Sequence, residues 1–177
     1  SRGLHDFHGL HGNAVLSRCR FALAKIFRDP LGAYFSREPN NLNAEGNERR
    51  LGGRMALITQ IEVVGIGLVT VGSLHKLQSE AAISDMMKFI ELSESKLTIL
   101  GGDQSPKPCE NLKLTVHNTE NSWPASCDTF GHTKGDIVCS NLETVKEAKT
   151  LKPCLDSPVR PIKLSDHAVI SVAYSLV

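Results

Sequence analysis

The chain has 177 residues, with 20 basic and 19 acidic side chains, 41% apolar residues and 5% aromatic ones. That length suits one globular domain, and the apolar share suffices for a core, so intrinsic disorder is excluded. The near-zero net charge argues against a protein that holds nucleic acid mainly through a broad basic surface.

In chain order, the opening SRGLHDFHGLHG (1–12) lacks the apolar run of a secretory signal. The first methionine is Met55, and the chain is expected to begin inside a longer protein. GNAVLSR (12–18) reads as a short buried strand. Ser36 to Gly53, rich in Asn, Glu, Arg and Gly, reads as a loop. Met55 to Val64 and Leu68 to Val71 are β-rich runs separated by Gly65-Ile66-Gly67, which predicts a hairpin. The most apolar stretch, Ala56 to Val71, includes Gln60 and Glu62 and falls short of the ~20 residues of a membrane-spanning helix.

Glu80 to Leu92 carries Ile83, Met86, Met87 and Ile90 on one helical face, with Ser79 as its cap and Ser93-Glu94-Ser95 as its end. Leu97 to Leu100 reads as a buried strand leading into Gly101-Gly102-Asp103. Leu112 to Val116 fits strand or helix equally. Asp136 to Ser140 and Ala168 to Tyr174 are further strands. There is no internal repeat. Strands outnumber helices, so the expected fold is α/β of the α+β type, with a largely antiparallel sheet.

The five cysteines, Cys19, Cys109, Cys127, Cys139 and Cys154, form no C-x-x-C pair, so a structural zinc site lacks support. They read as buried or partly buried free thiols. No N-x-[ST] sequon occurs, and the expected location is an intracellular compartment.

Polar residues gather at the ends of the predicted strands. Ser73-Leu74-His75 follows LVTV, Gly101-Gly102-Asp103-Gln104-Ser105 follows LTIL, Gly135-Asp136 opens DIVCS, and Ser165-Asp166-His167 precedes AVISVAY. Strand ends can gather such groups at one rim of a sheet, where Asp103, Asp166, His75 and His167 could bind a divalent cation, activate water and steady a phosphate. Taken singly, each has a plain structural reading. Gly-Gly-Asp is usually a turn, Ser-Asp a local cap, and a lone His a surface or core residue. Only the joint, ordered pattern points to chemistry.

That pattern resembles the endonuclease/exonuclease/phosphatase superfamily, the DNase-I-like fold. The corresponding segments are VTVGSLH (69–75), LTILGGDQS (97–105), KGDIVCS (134–140) and LSDHAVISV (164–172). GNAVLSRCRF (12–21) is similar to the family's G-x-A-I-L-S-R-x-P-I strand, and ERRLGGRMALI (48–58) to the approach to its next strand. The resemblance covers about residues 9–174. It implies a single domain over 1–177, part of a four-layer α/β sandwich with mainly antiparallel sheets, without the family's N-terminal strand–helix layer. That layer carries a metal-binding Glu with no counterpart in residues 1–11.

By this resemblance, the activity is hydrolysis of a phosphate ester by in-line attack of metal-assisted water, with Mg²⁺ or Mn²⁺ as cofactor. Asp103 would orient or deprotonate the water. Asp166 would bind the cation. His167 would hydrogen-bond a non-bridging phosphate oxygen, and Asp136 would fix the His167 tautomer. His75 occupies the position of a general acid to the leaving oxygen. The family's GDFN is GDQS here, so Ser105 replaces an amide that contacts the phosphate and lacks its donor.

Two loops bear on substrate. Arg37, Arg49, Arg50 and Arg54 could meet backbone phosphates, Arg50 foremost, or form a solvated loop. Trp123 and Phe130 could stack on bases or pin a long loop to the core. The expected substrate is DNA or RNA, making the protein a nucleic-acid phosphodiesterase. The alternatives are a lipid or inositol-phosphate phosphatase, or a non-catalytic relative that keeps the fold for binding.

Overall fold

Two compact units divide the chain, Ser1–Lys96 and Leu97–Val177. The computed structural model describes residues 9–10, 12–29, 50–51, 54–117, 137–142, 147–151, 154–155, 162–163 and 169–174.

The first unit contains β1 (Gly9–Leu10), β2 (Arg20–Arg28), β3 (Arg50–Leu51), β4 (Met55–Val63), β5 (Gly67–His75) and α1 (Glu80–Glu91). The predicted hairpin is β4–β5. Its turn closes with the Ile66 N–H donating to the Val63 carbonyl at 3.0 Å. Gly65 and Gly67 take φ of 81° and 101°, which glycine adopts without a Cβ clash. From there the antiparallel register runs unbroken from Val63–Gly67 to Met55–His75. On its other side β4 pairs antiparallel with β2, from Arg20–Glu62 to Arg28–Met55, with a register shift between Phe21 and Leu23. With a neighbour on each side, β4 buries Met55, Ala56, Ile58, Thr59 and Ile61. That explains its nearly continuous apolar sequence.

The expected strand at 12–18 is not formed. Residues 12–17 have no regular structure, 18–19 bend, and the strand begins at Arg20. The segment is held instead by distant partners: the Asn13 carboxamide donates to the carbonyls of Met55, at 3.3 Å, and of Ser73. A side chain, and not a backbone ladder, thus ties this segment to β4 and β5. Leu16, inside that expected buried strand, is 95% exposed. Within the expected loop 36–53, Arg50 and Leu51 form β3, which pairs in parallel with Gly9 and Leu10.

Helix α1 matches its predicted span. The Ser79 hydroxyl accepts the Ala82 N–H at 3.3 Å as an N-cap. Of the four apolar residues on the predicted face, Met86 and Ile90 are buried and Ile83 and Met87 half-buried. Phe89 of α1 meets Phe27 of β2 with ring centroids 5.7 Å apart. The Lys25 ammonium stands 5.1 Å from both ring centroids, a cation–π contact.

The second unit contains β6 (Leu97–Asp103), α2 (Lys107–Asn111), β7 (Thr115–Val116), β8 (Ile137–Ser140), β9 (Glu147–Leu151), β10 (Cys154–Leu155), β11 (Ile162–Lys163) and β12 (Val169–Ala173). Strand β8 pairs antiparallel with β6 on one side and β7 on the other. The pairs β9–β12 and β10–β11 are also antiparallel. The ambiguous stretch 112–116 resolves into the end of a helical turn and the two-residue β7, joined where the Leu114 N–H donates to the Cys109 carbonyl at 2.8 Å. The expected α/β class with mainly antiparallel pairing is found.

The cysteine reading needs correction. Cys109 of α2 and Cys139 of β8 form a disulfide, with Cα atoms 6.2 Å apart and both residues wholly buried. Thirty positions separate them in the chain, so no local spacing announces the pair. Cys19 is a free thiol, as expected. Among the described residues, no helix is long and apolar enough to cross a membrane.

Candidate functional site

His75 is the last residue of β5, opposite Met55, and is half-buried. Ser73 and Leu74 read as a polar exit from a strand ending at Val71, yet the strand continues through them. Gly72, Ser73 and Leu74 pair with Ile58, Leu57 and Ala56, and Leu74 is buried. Cross-strand pairing, a tertiary effect, thus overrides the turn character of Gly-Ser.

Several groups fix this end of the first unit. Arg28, Met55 and His75 are directly opposite across β2, β4 and β5, so their side chains leave the same face. The Asp29 N–H donates to the Arg54 carbonyl at 3.1 Å, and Arg54 Nη1 reaches the Lys76 carbonyl at 3.5 Å. Asp29 Oδ1 accepts the Ser79 N–H at 2.7 Å, and both its carboxylate oxygens lie 3.2 Å from the Gln78 nitrogen. The segment leaving His75 toward α1 is therefore held by a carboxylate from β2's end. Sequence patterns missed Asp29 and gave Asn13 no role. Asn13 does sit inside the quoted GNAVLSRCRF segment, the one signal that could have pointed to it.

Asp103 ends β6 and is half-buried. Read in isolation, Gly101-Gly102-Asp103 is a turn, but all three residues belong to the strand. Gly102 has φ of 133°, a conformation L side chains rarely adopt. A Cβ on Gly101 would lie 3.4 Å from the Ile137 carbonyl oxygen. These glycines let β6 approach β8 closely while the backbone turns Asp103 off the strand end. Gly102 pairs with Ile137, so the start of β8 lies beside the end of β6. Ile137 follows Asp136 in the sequence. Beyond Asp103, Gln104 is buried and Ser105 exposed.

Arg50 is placed by its backbone in β3, opposite Gly9. Asp136, Asp166 and His167 lie outside the described residues, as do Arg37, Arg49, Trp123 and Phe130. Among the described residues, no group of three or more His, Cys, Asp or Glu side chains could hold a metal ion.

A second polar group lies in the same unit as Asp103. His117 Nε2 is 2.7 Å from Ser140 Oγ, and the His117 ring meets Tyr174 edge-on with centroids 5.7 Å apart. Ser140 Oγ also accepts the Leu142 N–H at 3.1 Å. Burial lowers the His117 pKa below its ordinary 6.5 and raises that of Tyr174. Ser140 is wholly buried, so the pair clamps β7 to β8 and is no nucleophile–base dyad.

No protein-family model matches the sequence, and no curated protein matches it. Among solved structures, the chain is similar to a humanized D. rerio TDP2 carrying 14 mutations, with a TM-score of 0.49 and 13% identity over 88% of this chain and 67% of that one. It is similar to an endonuclease/exonuclease/phosphatase family protein from Leptotrichia buccalis C-1013-b, with a TM-score of 0.48 and 17% identity over 90% of this chain and 64% of that one. A third is D. rerio TDP2 complexed with single strand DNA product, with a TM-score of 0.47 and 14% identity, covering 88% and 68%. The chain thus spans about two-thirds of the length of these proteins.

Proposed function

We propose that this chain carries the core of a phosphoester hydrolase of the endonuclease/exonuclease/phosphatase kind, acting on nucleic-acid phosphodiesters. The observation that supports it most is Asp103, which ends β6 one residue beyond a glycine held at φ 133°. A carboxylate fixed at a strand end is what a general base needs, because proton transfer depends on geometry before pKa.

In this reading Asp103 accepts a proton from the attacking water. His167 donates a hydrogen bond to a non-bridging phosphate oxygen, where negative charge grows in the transition state. Asp136 holds His167 in the tautomer that can donate. His75 gives a proton to the leaving oxygen, and Ser105 and Arg50 contact the phosphate. Asp166 would hold Mg²⁺ or Mn²⁺, which when bound would neutralise phosphate charge. Nucleic acid is the preferred substrate class because Arg37, Arg49, Arg50 and Arg54 offer repeated phosphate contacts, and Trp123 and Phe130 offer stacking faces.

The test is a panel of single- and double-stranded DNA and RNA, sphingomyelin and inositol phosphates, each with Mg²⁺, with EDTA and with Asp166→Asn. The expected result is cleavage of a nucleic acid that both EDTA and the substitution abolish. Faster hydrolysis of sphingomyelin or an inositol phosphate would overturn the substrate class.

A further inference from the structure

Among the described residues, strand β2 is the edge of its sheet. It pairs with β4, and among the described residues no strand lies on its other side. The direction of its backbone groups follows from one bond: the Asp29 N–H points inward to the Arg54 carbonyl. Antiparallel strands alternate, so the N–H and C=O of Arg28 and of Ile26 point outward.

That edge borders a groove of about 460 Å³ between β2 and α1. Lys25 and Lys88 face it with one acid, Asp85, while Arg28 stands at its rim with its side chain on the strand's other face. All four are exposed. Two apolar side chains flank them, Ile26 at 50% exposure and Leu92 at 84%. The groove thus offers outward backbone donors and acceptors in alternation, an excess of positive charge and apolar surface.

We propose that this groove docks an extended, acidic segment of a partner protein, which adds to β2 as a further strand. Charge fixes the sign of the occupant, since two facing lysines against one acid favour carboxylates. The backbone fixes its class. A strand answers both the N–H and the C=O groups of the edge, whereas a phosphate chain supplies acceptors alone and leaves the outward carbonyls unmatched. A second copy of this chain is disfavoured by its own charges. Antiparallel pairing of two β2 strands centred on Ala24 sets Arg20 opposite Arg28, and parallel pairing in register sets each cation beside its twin. Acidic residues alternating with apolar ones suit the groove, because alternate side chains of an added strand point to opposite faces.

The probe is a fluorescein-labelled peptide of alternating Glu and Val, seven residues long, titrated with the full chain by fluorescence anisotropy. Its counterpart alternates Lys and Val, and a single-stranded oligothymidylate is the competitor. The acidic peptide is expected to bind, to weaken with salt, and to lose tenfold or more in affinity in Lys88→Glu and in Ile26→Pro. Proline there removes one outward N–H while the inward bonds to β4 stay intact. Lys88→Glu, on the exposed face of α1, keeps the test decisive if the proline variant does not fold. Absence of acidic-peptide binding, equal binding of the basic peptide, unchanged affinity in Lys88→Glu, or displacement by the oligothymidylate would each overturn the proposal.

Discussion

The Asp29 carboxylate accepts the backbone N–H of Ser79 at 2.7 Å, while the Ser79 hydroxyl accepts the N–H of Ala82. One side chain at the end of β2 thus holds the residue that caps α1, and two otherwise orphan donors at a helix start are satisfied in series. Asp29→Ala removes an acceptor that also serves the Gln78 N–H. It is expected to cost about 1–2 kcal/mol, with Asp29→Asn costing less because the amide oxygen still accepts. Urea unfolding followed by circular dichroism measures both.

Reduction of the Cys109–Cys139 disulfide is expected to destabilise the chain by about 3 kcal/mol, because the bond closes a loop of 30 residues in the unfolded state. Urea titrations with and without reductant read this difference. Peptide mapping under non-reducing conditions should recover the linked pair, whereas two free thiols at these positions would contradict it.

Gly102→Ala forces a Cβ onto a backbone at φ 133°. The expected cost is about 1–3 kcal/mol, with Asp103 displaced from the strand end. Thermal unfolding measures the first effect. Gly12→Ala is the control, since a Cβ there meets nothing within 4 Å.

The elements read correctly from the sequence are those whose signal is local. Gly65 and Gly67 mark the hairpin because only the turn itself demands their positive φ. The helix is marked by Ser79 and by a repeat placing Met86 and Ile90 on one face. What escaped depends on distant partners. Strand β5 runs past Gly72-Ser73 to His75 because Ile58 and Leu57 pair there, and β6 runs through Gly101-Gly102 because β8 lies close enough to need them. Asn13 breaks the expected strand by bonding to carbonyls 42 and 60 residues away. The disulfide joins residues that no short spacing links. Of the expected site residues, His75, Arg50, Asp103 and Ser105 lie among the described residues. Asp136, Asp166 and His167 lie outside the described residues.

Stability is expected to depend on pH through His117. Burial favours its neutral form, so its folded pKa lies below the ordinary 6.5. Between the two values the unfolded chain binds more protons, and stability rises with pH. The contribution is present above about pH 6.5 and is lost as pH falls toward the folded pKa. Chemical denaturation from pH 5 to 8 should show this slope, and His117→Gln, which keeps a polar contact to Ser140 without titrating, should flatten it.

The proposed hydrolysis of a phosphodiester with Asp103 as base is open to one direct test. The direct measurement is the rate of Mg²⁺-dependent cleavage of a labelled single-stranded DNA by the folded chain, compared with Asp103→Asn of equal thermal stability. Cleavage by the wild-type chain is expected, with a loss of at least about 100-fold in the variant, the usual contribution of a positioned base. Equal rates in the two proteins, or a folded wild-type chain that cleaves nothing, would contradict it and favour a domain that keeps the fold for binding.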